Sequence, residues 1–598
     1  MDLGKLSNPI LNNSLILENI FRYLKLKDHL NLIHVCQEFR ETVVQFLWRS
    51  RCKHLKLIQR IEHYFVNLSD TEMCCMKERG IREFLKLNRY NVHRLELRSC
   101  TSSFIFRIIE DFENLTYLDM LQCRISNNTL EMMARNCRTL RTLILDRCNC
   151  THCNEDLVLG QELKIETLAR MPSLQELSVY TRYTLKVDYK AIKKISEHLK
   201  LTKLSLRSSI VYEESENRKD MSTKNASLNN LQHLDIGRFS NGNAWLLFVQ
   251  LHLPLLGNLQ SLSIFIDLAN CVLITDGILK TIQEACPKLQ KLSFEQCKFR
   301  TNRFILPRSL LHLSLTWCWG VTWQHFAEIF REYLLEKFDS INCYYDDHDV
   351  DLLYTSNSLT TLTMETSIIP DFVELLKNEN NYVFPQVTTF NWLNSSESTY
   401  TPPQGVCYNL STIFPQLKVL NLEQTFIPLK EFQQMSTLQS LRISMYDSMT
   451  WSYMLTLLQS TSLQSLVIDI PSNLCTPLCP ILITKPELHF ATTPLLLSKS
   501  LKYLEIPVQL SCRSLDFWLD LRSRNSEMKL KCYALHLSEI TRTLLKALLN
   551  HPTFATLSKY INICNNEIAC SELRKRLTNI MYDYEFNCDT KGQYFIII

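Results

Sequence analysis

With 46% apolar and 21% charged residues, this 598-residue chain has the composition of a well-packed protein, long enough for several domains or one extended repeat array. A net charge of +4 predicts no general affinity for nucleic acid or membrane. Only 10 glycines occur, which argues against phosphate-cradling loops. No G-x-G-x-x-G, G-x-x-x-x-G-K-[ST] or H-E-x-x-H is present, so neither a cofactor nor an active site is expected.

The opening Met-Asp-Leu-Gly-Lys-Leu-Ser-Asn-Pro lacks the apolar run of a secretory signal, and no stretch approaches the ~18 apolar residues of a membrane span. The expectation is an intracellular protein, cytoplasmic or nuclear. Its 23 cysteines are then reduced thiols, and Asn67-Leu-Ser and Asn114-Leu-Thr are not glycosylated.

Residues 14–52 read as three short helices. Leu17, Ile20, Phe21 and Leu24 make one apolar face, and Leu32, Val35, Cys36 and Phe39 make a second. Asp28 stands where the cap of the second helix belongs, and Trp48 closes the third. Three short helices bury too little surface to be secure alone, so an exposed apolar side is expected to dock on a partner. Residues 56–90 read as a helical linker and N-terminal cap.

From Val92 onward one phrase returns: Leu, two residues, Leu, one residue, Leu. Copies include Leu140-Arg-Thr-Leu143-Ile-Leu145, Leu201-Thr-Lys-Leu204-Ser-Leu206, Leu289-Gln-Lys-Leu292-Ser-Phe294, Leu417-Lys-Val-Leu420-Asn-Leu422 and Leu501-Lys-Tyr-Leu504-Glu-Ile506. About 16 units begin at or near Val92, Leu115, Leu140, Leu174, Leu201, Leu231, Leu259, Leu289, Leu310, Leu335, Leu359, Val387, Leu417, Leu438, Leu463 and Leu501. A degenerate unit follows near Met528–Leu537. Each copy is a short strand that cannot bury its leucines alone, and stacked copies share a continuous core and a long concave surface. The spacing leaves room for helices between strands. Leu130, Met133, Ala134 and Cys137 form one stripe after Ser-Asn-Asn-Thr, and Phe326, Ile329, Phe330 and Tyr333 form another.

Cys100, Cys123, Cys148, Cys297, Cys318 and Cys343 each fall five residues after the second leucine position of their unit. A small, weakly polar side chain suits the turn after the strand. This pattern resembles the cysteine-containing subclass of leucine-rich repeats. The fold class expected is therefore an α/β repeat solenoid, a horseshoe with an N-terminal helical unit. Segments 208–227, 394–408 and 469–498 break the period as surface loops, and the stretch 570–581 reads as a capping helix.

The order Ile-Phe-x-Tyr-Leu, Asp-x-x-x-Leu, Val-Cys-x-x-Phe-Arg and Leu-Trp-Arg in residues 14–52 resembles the F-box. With the repeats behind it, the chain resembles an F-box/leucine-rich-repeat protein: residues 1–55 the F-box, 56–90 the linker and cap, 91–540 the repeats, 541–598 a C-terminal cap and tail. Family members open with Leu-Pro, where this chain has Asn12 and Asn13. The resemblance implies a non-catalytic subunit of an SCF (Skp–cullin–F-box) ubiquitin ligase. Its F-box would bind the Skp-type adaptor, and through it the cullin, while the repeats hold a protein substrate for ubiquitination and proteasomal degradation. By matching positions, Leu17, Ile20, Phe21, Leu24, Val35, Phe39 and Trp48 face the adaptor.

On the repeats, the residue between the last two leucines points to the concave side: Glu96, Asp119, Ile144, Ser178, Ser205, Asp235, Ser263, Ser293, Ser314, Thr363, Asn391, Asn421, Arg442, Val467 and Glu505. Arg98, Arg124, Arg147, Arg207 and Arg238 lie just past the early strands, with Glu295, Glu365 and Glu423 past later ones. With Trp317 and Trp319 the five arginines are the substrate-binding candidates. Core packing competes for Trp317, Trp319 and Trp323, and ordinary solvated charge competes for the arginines. Asp346-Asp347-His348-Asp349-Val-Asp351 lacks the turn glycine of a calcium loop, and Cys148-Asn-Cys150-Thr-His152-Cys153 is too tightly spaced for paired zinc knuckles. No metal is expected. Two other readings stay open: a protein-binding scaffold uncoupled from ubiquitin transfer, and an inositol-phosphate or small-molecule receptor in which Arg98, Arg124 and Arg147 converge.

Overall fold

The computed structural model describes residues 14–24, 26–60, 63–69, 72–110, 112–150, 165–181, 187–188, 200–206, 210–211, 230–237, 245–246, 248–265, 273–345, 354–365, 382–393, 409–423, 427–444, 456–458, 460, 462–469, 500–506, 529–534, 562–563 and 596–597. The expectations for Asn12, Asn13, Arg207, Arg238, the acidic run 346–351, His152, Cys153 and the helix at 570–581 lie outside these residues. The chain divides into two compact units, residues 1–310 and 311–598.

In the first unit, α1 (Ser14–Phe21), α2 (Leu26–Leu32) and a third helix that begins as α3 (Gln37–Glu41) precede the sheet. The third runs on through a wide π turn, Thr42–Leu47, to Trp48–Arg51. Two details differ from expectation. Asp28 lies in the first turn of α2 rather than at its cap. The second apolar face is interrupted, because α2 stops at Leu32 and Cys36 starts the next helix. Across that turn Ile33 goes inward while Val35 is left 61% exposed.

The segment expected to be a helical linker is an antiparallel three-stranded meander, β1 (His54–Arg60), β2 (His63–Ser69) and β3 (Glu72–Lys77), followed by the helix α4 (Glu78–Leu87). Alternation explains it: Leu55, Leu57, Tyr64 and Val66 are buried every second residue. β1 then pairs in parallel with the first repeat strand, Leu55 beside Leu95 and Leu57 beside Leu97, so the meander closes the end of the leucine core.

Repeat strands stack in parallel and in register. In the first unit Leu95, Leu118, Leu143, Leu177, Leu204, Leu234, Leu262 and Leu292 are successive partners. In the second unit the same position holds Leu313, Phe338, Leu362, Phe390, Leu420, Leu441, Leu466, Leu504 and Leu530. Within a strand burial alternates, as in Arg94–Arg98 and Lys291–Glu295, so the leucines turn inward and the residues between them face out. Each fully buried leucine contributes about 1.5–3 kcal/mol, and only stacking makes that burial possible.

Two side-chain ladders fix the turns. Ahead of each ladder cysteine, the backbone enters the left-handed region at Ser99, Gln122, Arg147, Gln296, Trp317 and Asn342. That twist turns the following thiol inward, where Cys148 Sγ reaches Met120 O at 3.3 Å and Cys343 Sγ reaches Leu315 O at 3.4 Å, one repeat back. At the other end of the strand, a hydroxyl residue just before the first leucine position bonds the carbonyl of that position in the preceding repeat. Examples are Thr139 to Leu115 (2.9 Å), Ser309 to Leu289 (2.8 Å), Ser358 to Leu335 (2.9 Å), Thr437 to Leu417 (2.8 Å) and Ser500 to Leu463 (2.8 Å). Each bond satisfies a carbonyl that the short strand leaves unpaired.

The helices expected at Leu130 and Phe326 are present as Asn127–Asn136 and Trp323–Glu332. The Ser126 hydroxyl caps the first. Thr322 and His325 form a reciprocal capping box on the second.

Candidate protein-binding surfaces

The seven residues expected to face an adaptor separate into two groups. Leu17, Phe21 and Trp48 form the core of the helical unit, at 2%, 4% and 0% exposure. The Trp48 indole donates its N–H to His29 Nδ1 at 3.4 Å, and His29 Nε2 bonds the Phe21 carbonyl at 2.7 Å, so one buried imidazole ties all three helices together. Trp48 also packs edge-on against Phe84 of α4, centroids 5.0 Å apart, which fastens the helical unit to the cap of the repeats. Leu24 and Phe39 are half-buried, Phe39 edge-on to Phe21 at 5.0 Å. Ile20 and Val35 are the outward-facing members. Leu15 and Tyr23 join them as exposed apolar residues that the heptad-like spacing did not single out. Pairing at i, i+3 and i+4 gave no way to tell which side of so short a helix meets solvent.

Arg98 is not a free cation. Its guanidinium makes two 2.9 Å bonds to the Asp119 carboxylate and one of 3.2 Å to Glu96, which also receives His54 Nε2 at 2.9 Å. Arg94 completes the cluster, 3.2 Å from Glu96 and stacked 3.9 Å from the Tyr117 ring centroid. Burial alone pushes the Glu96 carboxyl up, but His54, Arg98 and Arg94 together hold it below the usual carboxylate range. Arg124 and Arg147 are exposed, Arg147 at a left-handed turn. Arg98 therefore serves the sheet, whereas Arg124 and Arg147 have no ion-pair partner among the described residues.

In the second unit the outward column is a directed chain of hydrogen bonds. Asn421 Nδ2 donates to Asn391 Oδ1 (2.6 Å), Asn391 Nδ2 donates to Thr363 Oγ1 (3.0 Å), and Thr363 donates to the Asp339 carboxylate. Asp339 also accepts from His312 Nε2 at 2.8 Å and Lys337 Nζ at 3.0 Å. Burial pushes the Asp339 carboxyl up, yet these donors outweigh it and leave it below the usual range. Sequence reading passed over Asp339, because its repeat has Phe338 at the leucine position and buried Ser340 where a leucine is expected. The signal was there in the register: Asp339 lies beside Ser314 and Thr363. Glu365 is buried, and its carboxylate accepts the Asn342 N–H, so it builds a turn rather than an acidic surface.

Trp317 is 40% exposed in a left-handed conformation that bulky residues seldom adopt, with its N–H held by Ile341 O at 2.8 Å. Trp319 is half-buried on the following short strand. Among the described residues no group of three or more His, Cys, Asp or Glu is placed to hold a metal ion, and no helix is long and apolar enough to cross a membrane.

No family model and no curated protein matches the chain. Among solved structures it is similar, at 14% identity, to a chain of a TLR13–ssRNA13 complex, covering 76% of this chain and 62% of that one with a TM-score of 0.32. It is also similar to a chain of the Rad7–Elc1 complex in yeast, at 14% identity over 66% and 84% of the two chains, TM-score 0.32. A third is CroV588, a circular leucine-rich-repeat protein, at 13% identity over 76% and 64%, TM-score 0.33. The leucine-rich-repeat architecture of this chain is evident in its own strand register, cysteine turns and hydroxyl ladder.

Proposed function

We propose that this chain is the substrate-recognition subunit of an SCF-type ubiquitin ligase. In this reading the helical unit binds a Skp-type adaptor, and through it a cullin, and the repeats bind a protein substrate. The observation that carries it is the division within residues 14–52. Leu17, Phe21 and Trp48 already close the core of the unit, yet Leu15, Ile20, Tyr23 and Val35 stay exposed on it. Apolar side chains that the unit does not need for its own packing are suited to an interface. In this reading the chain is a non-catalytic subunit. Its contribution is to raise the effective concentration of a substrate lysine near a thioester carried by another protein.

Exposed positions give the clean test. The intact chain is compared with an Ile20→Asp/Val35→Asp variant in capture of the Skp-type adaptor and the cullin. Capture by the intact chain and loss by the folded variant is expected. Absence of adaptor from both overturns the proposal and favours a repeat scaffold uncoupled from ubiquitin transfer.

A further inference from the structure

The helix α4 carries a cationic stripe that none of the contacts described above uses. Arg79, Arg82 and Lys86 stand at i, i+3 and i+7, within one narrow arc of the helix, and all three are exposed. None of the three has an ion-pair partner among the described residues. The two acids of the same helix are drawn elsewhere: Glu78 binds Arg107 at 2.9 Å, and Glu83 reaches His34 Nε2 of the helical unit at 3.7 Å. The opposite face, with Ile81, Phe84 and Leu85, is fully buried against the cap and against Trp48. We infer that the solvent face of α4 is a docking surface for a short acidic segment of a protein partner.

The geometry selects that class of partner. A bilayer requires an apolar helix face to insert, and here that face is already consumed. A nucleic-acid duplex offers a charge about every 1.7 Å along a continuous track, whereas this stripe runs only about 10 Å. Ten ångströms is the reach of three or four residues of extended polypeptide. Consecutive acidic side chains on such a segment would bring carboxylates within reach of the three cations, and the fork of each arginine suits a carboxylate. The stripe does not draw on the apolar residues proposed for the adaptor, so the inference stands apart from the ligase reading.

The test uses the full chain and a fluorescein-labelled peptide of alternating Asp and Glu, followed by fluorescence anisotropy. The intact chain is expected to bind, more weakly as salt rises. Reversal in R79E/R82E/K86E should weaken binding at least about tenfold, while R79K/R82K retains most of it. A variant with the same charge change elsewhere in the unit, K298E/R300E/R308E, should bind as the intact chain does. Circular dichroism confirms folding of each variant. Equal loss in both reversed variants, no loss in the first, or tighter binding to a short DNA duplex or to phosphatidylserine vesicles than to the peptide overturns the inference. No adaptor enters the assay, so its failure is distinct from failure of the ligase reading.

Discussion

Trp48 should be the costliest single side chain to remove from the helical unit, and Ile20 among the cheapest, although sequence pattern places both in the same interface. Truncation of a fully buried tryptophan to alanine costs about 3–5 kcal/mol through lost transfer energy and the cavity left behind. The edge contact with Phe84 adds about 0.5–1.5 kcal/mol. His29 Nδ1 also loses its donor, a further penalty of about 1–3 kcal/mol if water does not enter. These terms share atoms and do not sum in full, so about 4–6 kcal/mol is expected for Trp48→Ala. Ile20→Ala, at a half-exposed site, should cost no more than about 0.5 kcal/mol. A whole-chain melting temperature is the wrong readout for a molecule of two units. Native-state hydrogen exchange over residues 14–52 and 78–87 reads the local free energy directly. Trp48→Ala should deprotect both segments together and leave later repeats unchanged. A shift below about 1 kcal/mol, or one confined to residues 14–52, would refute the linkage through Trp48 and Phe84.

Three further outcomes follow from the geometry. Asp339 has a depressed native pKa, so the stability it contributes is present above its unfolded value and is lost as pH falls through the native one. Acid unfolding of the second unit should therefore include a component below about pH 4 that Asp339→Asn removes, and identical acid profiles would refute the assignment. Burial pushes the Cys137 and Cys286 thiols up to about 12, so iodoacetamide at mildly alkaline pH should leave both unmodified in the native chain and label them after denaturation, as mass spectrometry will show. At Gly237 an added Cβ would lie 2.9 Å from Phe265 Cβ, and Gly237→Ala should cost about 1–3 kcal/mol; unchanged native-state hydrogen exchange over residues 233–237 and 261–265 would rule out that crowding.

The strands were legible because each repeat states its period-two pattern in the same words, and stacking then places equivalent residues side by side. The cysteine turns were legible for the same reason. The hydroxyl ladder was equally written, as Thr139, Ser309, Ser358, Thr437 and Ser500 before successive leucines, but its meaning needs the carbonyl of the neighbouring repeat. Residues 54–77 carried alternation too, and placing them between helices and repeats obscured it. Which of Ile20 and Phe21 would face inward was not legible. Phe21 turns inward where its ring packs edge-on to Phe39 and its carbonyl meets His29, contacts outside α1 that helical spacing does not reveal. Nor could spacing foresee that Asp119 would claim Arg98.

The hydrogen bonds from Asn421 through Asn391 and Thr363 to Asp339 all run one way, so this column has a head and a foot. Loss of Asn421 at the head removes one donor and loosens its neighbours slightly. Loss of Asp339 at the foot strands Thr363, His312 and Lys337 at once, on strands that lie side by side. Substitutions along one column of equivalent positions should therefore grade in severity toward the foot. Any partner that offers a carboxylate in place of Asp339 would find three donors already aimed at it.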